Sequence, residues 1–181
     1  MYLRLAREHD VRITHIIETH IHADFVSGAH ELKERTGAEI VGGNTMDYRF
    51  PLRQVAEGEE IALGSVTLSA LHTPGHTPEH LFFLVRDTQQ GEEPFGVFTG
   101  DALFNLDVGR PDLIGSEREL AGQLYRSLFD KLVPLTTLDG GAAGVSLSAG
   151  FPPAWNGSAR SWRFRSGPRT SPARTCRSSC R

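Results

Sequence analysis

One segment limits what the chain can fold into more than any other, and it runs from Thr19 to Phe25 as Thr-His-Ile-His-Ala-Asp-Phe. It follows the apolar run 13–17, whose β-branched residues favour a buried strand. Side-chain direction repeats every two residues in extended backbone, so His20 and His22 point to one side and can reach one metal ion. Asp24 extends that side by one step. An N-cap aspartate beside two surface histidines is the alternative that this segment alone leaves open.

Two later strand ends also carry residues that bind metals. His76 lies in the sequence Pro-Gly-His-Thr-Pro (74–78), where the Pro-Gly turn excludes a helix and holds the histidine in a stiff loop. Asp101 follows the predicted buried strand 95–99, an expensive place for an unpaired carboxylate. These three strand ends together predict one metal site formed by His20, His22, His76 and Asp101. We interpret the remaining histidines as structural, whether at the surface or half-buried with satisfied hydrogen bonds: His9, His15, His30 and His80, with His72 intermediate.

The pattern of elements predicts the fold class. With 181 residues, of which 39% are hydrophobic, the chain is large enough for one domain with a real core. Amphipathic periodicity predicts helices at 2–9, 26–35 and 117–132, a strand at 12–18 and a short one at 38–41, and strand pairs 59–63 with 65–71 and 81–85 with 95–99. Hairpins mixed with separate helices predict an α/β sandwich rather than a doubly wound parallel sheet.

Composition limits the compartment and the partners. There is no signal-peptide pattern and no apolar run near the roughly 18 residues of a membrane span, so we expect a cytoplasmic protein that does not bind membranes. Cys176 and Cys180 are the only cysteines, so the body of the chain must hold any metal with histidine and carboxylate. Its acidic balance makes nucleic acid an unexpected partner.

The composition changes near residue 136. Residues 138–181 contain seven arginines, no lysine and a single acid, Asp139. Such a Gly-, Ser-, Pro- and Arg-rich segment is typical of disordered or out-of-frame sequence. We therefore expect a domain over residues 1–135 and a tail over 136–181 that is disordered or out of frame.

Four ordered motifs resemble those of the metallo-β-lactamase-fold superfamily: His-x-His-x-Asp (20–24), Pro-Gly-His-Thr-Pro (74–78), Thr-Gly-Asp-Ala-Leu (99–103) and Gly-Arg-Pro-Asp (109–112). Within it the chain looks most like the persulfide (sulfur) dioxygenases, including bacterial forms beside or fused to rhodanese domains. It is also similar to the glyoxalase II thioester hydrolases. The resemblance covers residues 1–135 and implies an αββα sandwich, truncated at the N-terminus and divergent at the C-terminus.

The resemblance also implies a ligand set. In the dioxygenase branch the iron ligands match His20, His76 and Asp101, with His22 beside them. Two histidines and one carboxylate with open positions suit non-haem Fe(II) and O₂ chemistry. The hydrolase branch holds a second metal with the equivalents of Asp24 and of a histidine directly after it, together with a late histidine.

This chain has Phe25 at the position of that histidine, and phenylalanine cannot bind a metal. We therefore predict an iron persulfide dioxygenase that oxidises glutathione persulfide to sulfite and glutathione with one Fe(II) per chain. His22 and Asp24 occupy the catalytic positions, and Arg110 matches a residue whose guanidinium can pair with a glutathione carboxylate. The alternatives are a glyoxalase II-like hydrolase of glutathione thioesters, with Zn(II) as the alternative metal, and an inactive metal-binding fragment. A rhodanese is the possible protein partner, and the oligomeric state stays open.

Overall fold

The computed structural model describes residues 1–22, 24–136 and 146–148. The helices are α1 (Tyr2–Glu8), α2 (Ala29–Thr36), α3 (Glu117–Arg126) and α4 (Val133–Thr136), and a π-helical segment, Ser127–Leu132, joins α3 to α4. The strands are β1 (His15–Ile17), β2 (Glu39–Gly43), β3 (Arg53–Val55), β4 (Glu60–Leu63), β5 (Val66–His72), β6 (Leu81–Asp87), β7 (Gly96–Phe98), β8 (Leu103–Phe104), β9 (Asp107–Val108) and β10 (Ser146–Ser148).

The strands form two main sheets of different character. The first has the order β1-β2-β3 and is parallel, with Ile16 opposite Ile40. The second has the order β10-β7-β6-β5-β4; its neighbours are antiparallel except for β10, which runs parallel to β7. Strands β8 and β9 form a separate hairpin. Because His72 is paired with Leu81, the loop that carries His76 connects the ends of the neighbouring strands β5 and β6 on one side of the second sheet.

Consecutive residues of β6 show how the layers stack. Phe82 and Phe83 are both fully buried, and they face opposite sides of the sheet because strand side chains alternate. Phe83 packs with Val41 of the first sheet, in the core between the sheets. Phe82 packs with Leu124 in the core beneath α3, while α2 contacts β1 and β2. The layers follow the order helix, sheet, sheet, helix, which confirms the predicted αββα sandwich.

The predicted long helix is confirmed, with one local difference. Its four regularly spaced leucines are all buried: Leu120, Leu124, Leu128 and Leu132. The second half, Ser127–Leu132, is π-helical, a local widening of the helix that leucine spacing does not reveal. Helix α2 begins at Ala29 rather than at residue 26, because the Ser27 hydroxyl donates to Glu18 and accepts from the Ala29 backbone N–H.

The predicted tail over 136–181 falls almost entirely outside the described residues. The described part of it includes β10, a strand that the sequence did not predict. The boundary at residue 135 and the disordered or out-of-frame reading of the tail stay predictions. Nowhere in the parts of the chain that the structure describes is a helix both long and apolar enough to cross a bilayer.

Candidate metal centre

Three loops bring metal-binding side chains together at one end of the sheets. His20 follows β1, His76 lies between β5 and β6, and Asp101 follows β7. A backbone hydrogen bond from Leu81 N–H to the Thr19 carbonyl, 2.8 Å long, joins the first loop to the start of β6 and so links the two sheets. One ligand atom from each of His20, His76 and Asp101 lies within 4.8 Å of the others. The described residues therefore place three of the four predicted ligands around one point.

His20 is buried but keeps one ring nitrogen without a partner among the described residues, as a candidate metal ligand would. It is 3% exposed, its Nδ1 lies 2.9 Å from the Thr19 hydroxyl, and its Nε2 is buried with no hydrogen-bond partner among the described residues. Burial, with a further contribution from His22 and His76, lowers the pKa of His20 to about 3. The ring is therefore neutral, which is the form that binds metals. Its Nε2 lies 3.7 Å from Asp101 Oδ2, so an ion between them would satisfy an atom that is otherwise costly to bury.

A backbone carbonyl orients the ring of His76. Its Nδ1 lies 3.0 Å from the Arg110 carbonyl oxygen, and a carbonyl can only accept, so Nδ1 carries the proton. This leaves the Nε2 lone pair free to bind an ion, the usual outer-shell arrangement of metal-binding histidines. The turn itself is fixed because the Ser127 hydroxyl donates to the Pro74 carbonyl at 2.8 Å. The π-helical segment thus holds the histidine loop in place.

Gly100 allows Asp101 to come close to His20. Its φ is +48°, and a Cβ at this position would lie 2.6 Å from Thr19 Oγ1 and 2.7 Å from His80 Nε2. Any side chain would push the β7 loop away from the β1 loop. Glycine therefore lets the two strand ends approach this closely.

His22 lies beside the three ligands rather than among them. Its ring centroid is 4.1 Å from that of His20, and the ring of Phe25 lies 4.1 Å from it at an interplanar angle of 34°. Its Nδ1 is 3.9 Å from Asp24 Oδ1, and the Asp24 side chain is 84% exposed. Assignment of His22 as a ligand, and of His22 and Asp24 as catalytic residues, stays a prediction.

Arg110 contributes a backbone carbonyl to the site, and its guanidinium lies in an exposed ion pair. Its carbonyl orients His76, while its exposed guanidinium pairs with Asp112 through contacts of 2.6 and 2.8 Å. The pair raises the pKa of Arg110 and lowers the pKa of Asp112, so both are charged. The predicted role of Arg110 in substrate binding stays a prediction.

Sequence reasoning missed the environment of two neighbours of His76. His80 is neither at the surface nor satisfied: it is fully buried and stacks on His20 with centroids 5.0 Å apart. Its Nδ1 contacts the Thr73 hydroxyl at 3.1 Å, its Nε2 has no partner among the described residues, and burial lowers its pKa well below the usual range. Glu79 is also fully buried. The sequence signal that could have pointed to Glu79 and His80 was their position just after His76.

Comparison with known proteins identifies the family. The model of the metallo-beta-lactamase superfamily matches residues 1–168. The chain belongs to this superfamily. It is 40% identical over 119 residues to a hydroxyacylglutathione hydrolase of Methylococcus capsulatus, which covers 65% of this chain and 42% of that protein. The superfamily prediction is therefore confirmed.

Two solved structures have the same fold. A metallo-beta-lactamase from Staphylococcus aureus superposes with a TM-score of 0.73 at 35% identity, covering 84% of this chain and 46% of that one. ETHE1 from Myxococcus xanthus superposes with a TM-score of 0.64 at 36% identity, covering 74% and 54%. The chain spans less than half the length of the curated relative and of the staphylococcal protein.

Proposed function

We propose that this chain carries the metal centre of a hydrolase that cleaves glutathione thioesters. The observation that carries the proposal is the convergence of His20, His76 and Asp101 in a chain 40% identical to a hydroxyacylglutathione hydrolase. This was the alternative function predicted from the sequence, and the names of the relatives favour it over the dioxygenase. The substrate class is a thioester of a small acidic thiol of the glutathione type, which water splits into a carboxylic acid and the free thiol.

The described residues would divide the work as follows. Nε2 of His20, Nε2 of His76 and the Asp101 carboxylate would hold one Zn(II) or Fe(II) ion, which supplies Lewis acidity and lowers the pKa of a nearby water. The Asp24 carboxylate is exposed beside His22 and is the available acceptor for the proton of an attacking water. His22 lies against His20, with ring centroids 4.1 Å apart, and so flanks the proposed site.

Arg110 is the group we assign to the glutathione end of the substrate. Its pair with Asp112 is exposed to water, and solvent screening makes exposed ion pairs weak. Exchange of Asp112 for a glutathione carboxylate therefore costs little, and a guanidinium can bind that carboxylate through two parallel hydrogen bonds. The carbonyl of the same residue orients His76, so substrate binding would take place next to a ligand.

Persulfide dioxygenation is the second candidate, and Phe25 favours it. The resemblance to the glyoxalase II hydrolases implies a histidine there, whereas here an aromatic ring packs against His22. A single ion held by two histidines and one carboxylate suits Fe(II) and O₂. The rhodanese partner and the cytoplasmic location stay predictions for either reaction.

One pair of assays separates the readings. The purified chain is loaded with Zn(II) or with Fe(II) under anaerobic conditions, and each form receives a hydroxyacylglutathione or, with O₂, glutathione persulfide. Thiol release that disappears in His76→Ala and persists in His9→Ala, the exposed control, is the expected result. Oxygen uptake with persulfide and no thioester cleavage would reject the hydrolase in favour of the dioxygenase. A folded, metal-loaded chain with neither activity would identify an inactive metal-binding fragment.

Metal content tests the ligand set independently of activity. We expect close to one ion per chain after mild purification, and loss of that ion in His76→Ala. Full metal content in His76→Ala would show that the ligands are elsewhere.

A further inference from the structure

Glu79 is a buried acid that contacts the metal-binding loop. Glu79 is 1% exposed. Its Oε1 accepts a hydrogen bond of 2.8 Å from the Ile21 backbone N–H, and its Oε2 is buried with no hydrogen-bond partner among the described residues. Ile21 is the residue between His20 and His22. The carboxylate therefore holds the backbone that carries both histidines.

The backbone of Glu79 is itself held in place. Two residues later, Leu81 N–H donates to the Thr19 carbonyl at 2.8 Å, so the segment 79–81 grips the histidine loop at two points. On the other side, a Cβ on Gly43 would lie 2.7 Å from the Glu79 carbonyl oxygen, which shows that Glu79 packs directly against the end of β2. The side chain has a rigid base from which to hold Ile21.

A carboxylate is a costly choice for this position if its only task is to fill space. Burial removes the carboxylate from water, and Oε2 has no compensating partner among the described residues. This arrangement is unfavourable unless the hydrogen bond that Oε1 accepts from Ile21 N–H offsets it. An apolar side chain of the same length would pack here without that cost. What the apolar side chain would lack is an acceptor for the Ile21 N–H.

We propose that Glu79 is a positioning residue of the metal centre. By accepting the Ile21 N–H it fixes the peptide between His20 and His22, and so directs His20 Nε2 towards the point shared with His76 and Asp101. The inference rests on the proposed function only in taking those three side chains as metal ligands. It adds a link between the His76 turn and the β1 loop that neither motif contains.

Three variants isolate the acceptor oxygen. Glu79→Gln keeps an acceptor at the same distance from the backbone, whereas Glu79→Met keeps the length and removes the acceptor. Glu60→Met is the matched control, because Glu60 lies in β4 and its partners are Ser69 and Arg86. Each variant is titrated with Co(II) against a chelator, its Co(II) absorption spectrum is recorded, and exchange of the Ile21 amide hydrogen is followed by NMR.

The expected pattern is specific. Loss of an outer-shell partner weakens metal binding by roughly 10–100-fold, and we expect Glu79→Met to weaken Co(II) binding by that factor, alter the Co(II) spectrum and speed Ile21 amide exchange. Glu79→Gln and Glu60→Met should stay close to the parent in all three measurements.

Several results would overturn the inference. These are parent-like Co(II) affinity and spectrum in Glu79→Met, or an equal loss of affinity in Glu79→Gln. If Glu79→Met does not fold, the parent decides: an Ile21 amide that exchanges as fast as a free peptide refutes the hydrogen bond, and a protected amide with parent-like Co(II) binding in Glu79→Gln supports it. A parent that binds no Co(II) overturns both proposals. A parent that binds Co(II) but cleaves no thioester rejects the proposed function alone.

Discussion

Burial of His20 predicts that the metal-free protein loses stability in mild acid. The residue is 3% exposed, and burial, followed by the effect of His22 and His76, lowers its pKa from 6.5 to about 3. In the unfolded chain the ring is in water and its pKa returns to the ordinary value. Between these two values the unfolded state binds more protons than the folded state, so the free energy of unfolding falls as the pH falls. His20 therefore leaves the free energy of unfolding unchanged above pH 6.5 and lowers it progressively as the pH falls towards about 3.

The size of the effect follows from the two pKa values of His20. At about pH 5 the unfolded histidine is protonated and the folded one is not, and 1.5 pH units at about 1.36 kcal/mol each correspond to roughly 2 kcal/mol. A typical domain has a free energy of unfolding of only about 5–15 kcal/mol. His80 is buried in the same cluster, and its pKa is lowered for the same first reason. The parent should therefore lose more stability than His20 alone accounts for.

Urea unfolding at about pH 7.5 and about pH 5, with a chelator present, measures this loss. The decrease in the free energy of unfolding between the two pH values should be smaller in His20→Asn than in the parent by roughly 2 kcal/mol. His9→Asn is the control, because His9 is exposed and should leave the difference unchanged. An equal decrease in the parent and in His20→Asn would refute the link between burial of this ring and acid sensitivity.

Three substitutions test other parts of the site and the fold. Phe25→His supplies only one of the further ligands that the resemblance to the hydrolase branch implies for a second ion, and the sequence has no histidine after His80 to serve as the late one. Elemental analysis should therefore still find near one ion per chain; content near two would contradict this explanation of the single site. Gly100→Ala should lower both metal content and melting temperature, because its Cβ would lie 2.6 Å from Thr19 Oγ1 at a φ of +48°, and a fully metal-loaded variant would count against that geometry. Leu128→Ala removes a side chain buried beneath the second sheet and should reduce the free energy of unfolding by about 2–5 kcal/mol, measured by urea denaturation; a much smaller loss would show that the helix packs loosely.

The features that could be predicted from the sequence are those that local chemistry determines. Alternation and turn residues predicted the two hairpins, and leucines at every fourth position predicted the buried face of the long helix. His76 was recognisable because a Pro-Gly turn fixes its backbone, and Asp101 because it ends a buried strand. Each of these signals is contained within a few residues.

The features that could not be predicted depend on contacts between distant segments. Strand β3 has three residues, too few for a periodic pattern, and it forms by pairing with β2. Glu79 gains its role from Ile21, 58 positions away in the chain. His80 looked like an ordinary strand-start residue, and only the approach of the β1 loop brings its ring onto His20. These residues could not be predicted because their partners are far away in the sequence.

The reaction is determined outside the three candidate ligands. Two imidazoles and a carboxylate at strand ends can support hydrolysis by a Lewis acid or oxygen chemistry on iron, so His20, His76 and Asp101 serve either reaction equally. The difference lies in the loop after His22, where a second ion would need several further ligands. Asp24 is exposed there, and the neighbouring position is occupied by the ring of Phe25 packed on His22. A chain that hydrolyses thioesters with this loop must do so with one ion and an exposed carboxylate as base. Its thioesterase activity should therefore fall in Asp24→Asn with little change in metal content, whereas a dioxygenase that uses the same three ligands should keep its oxygen uptake.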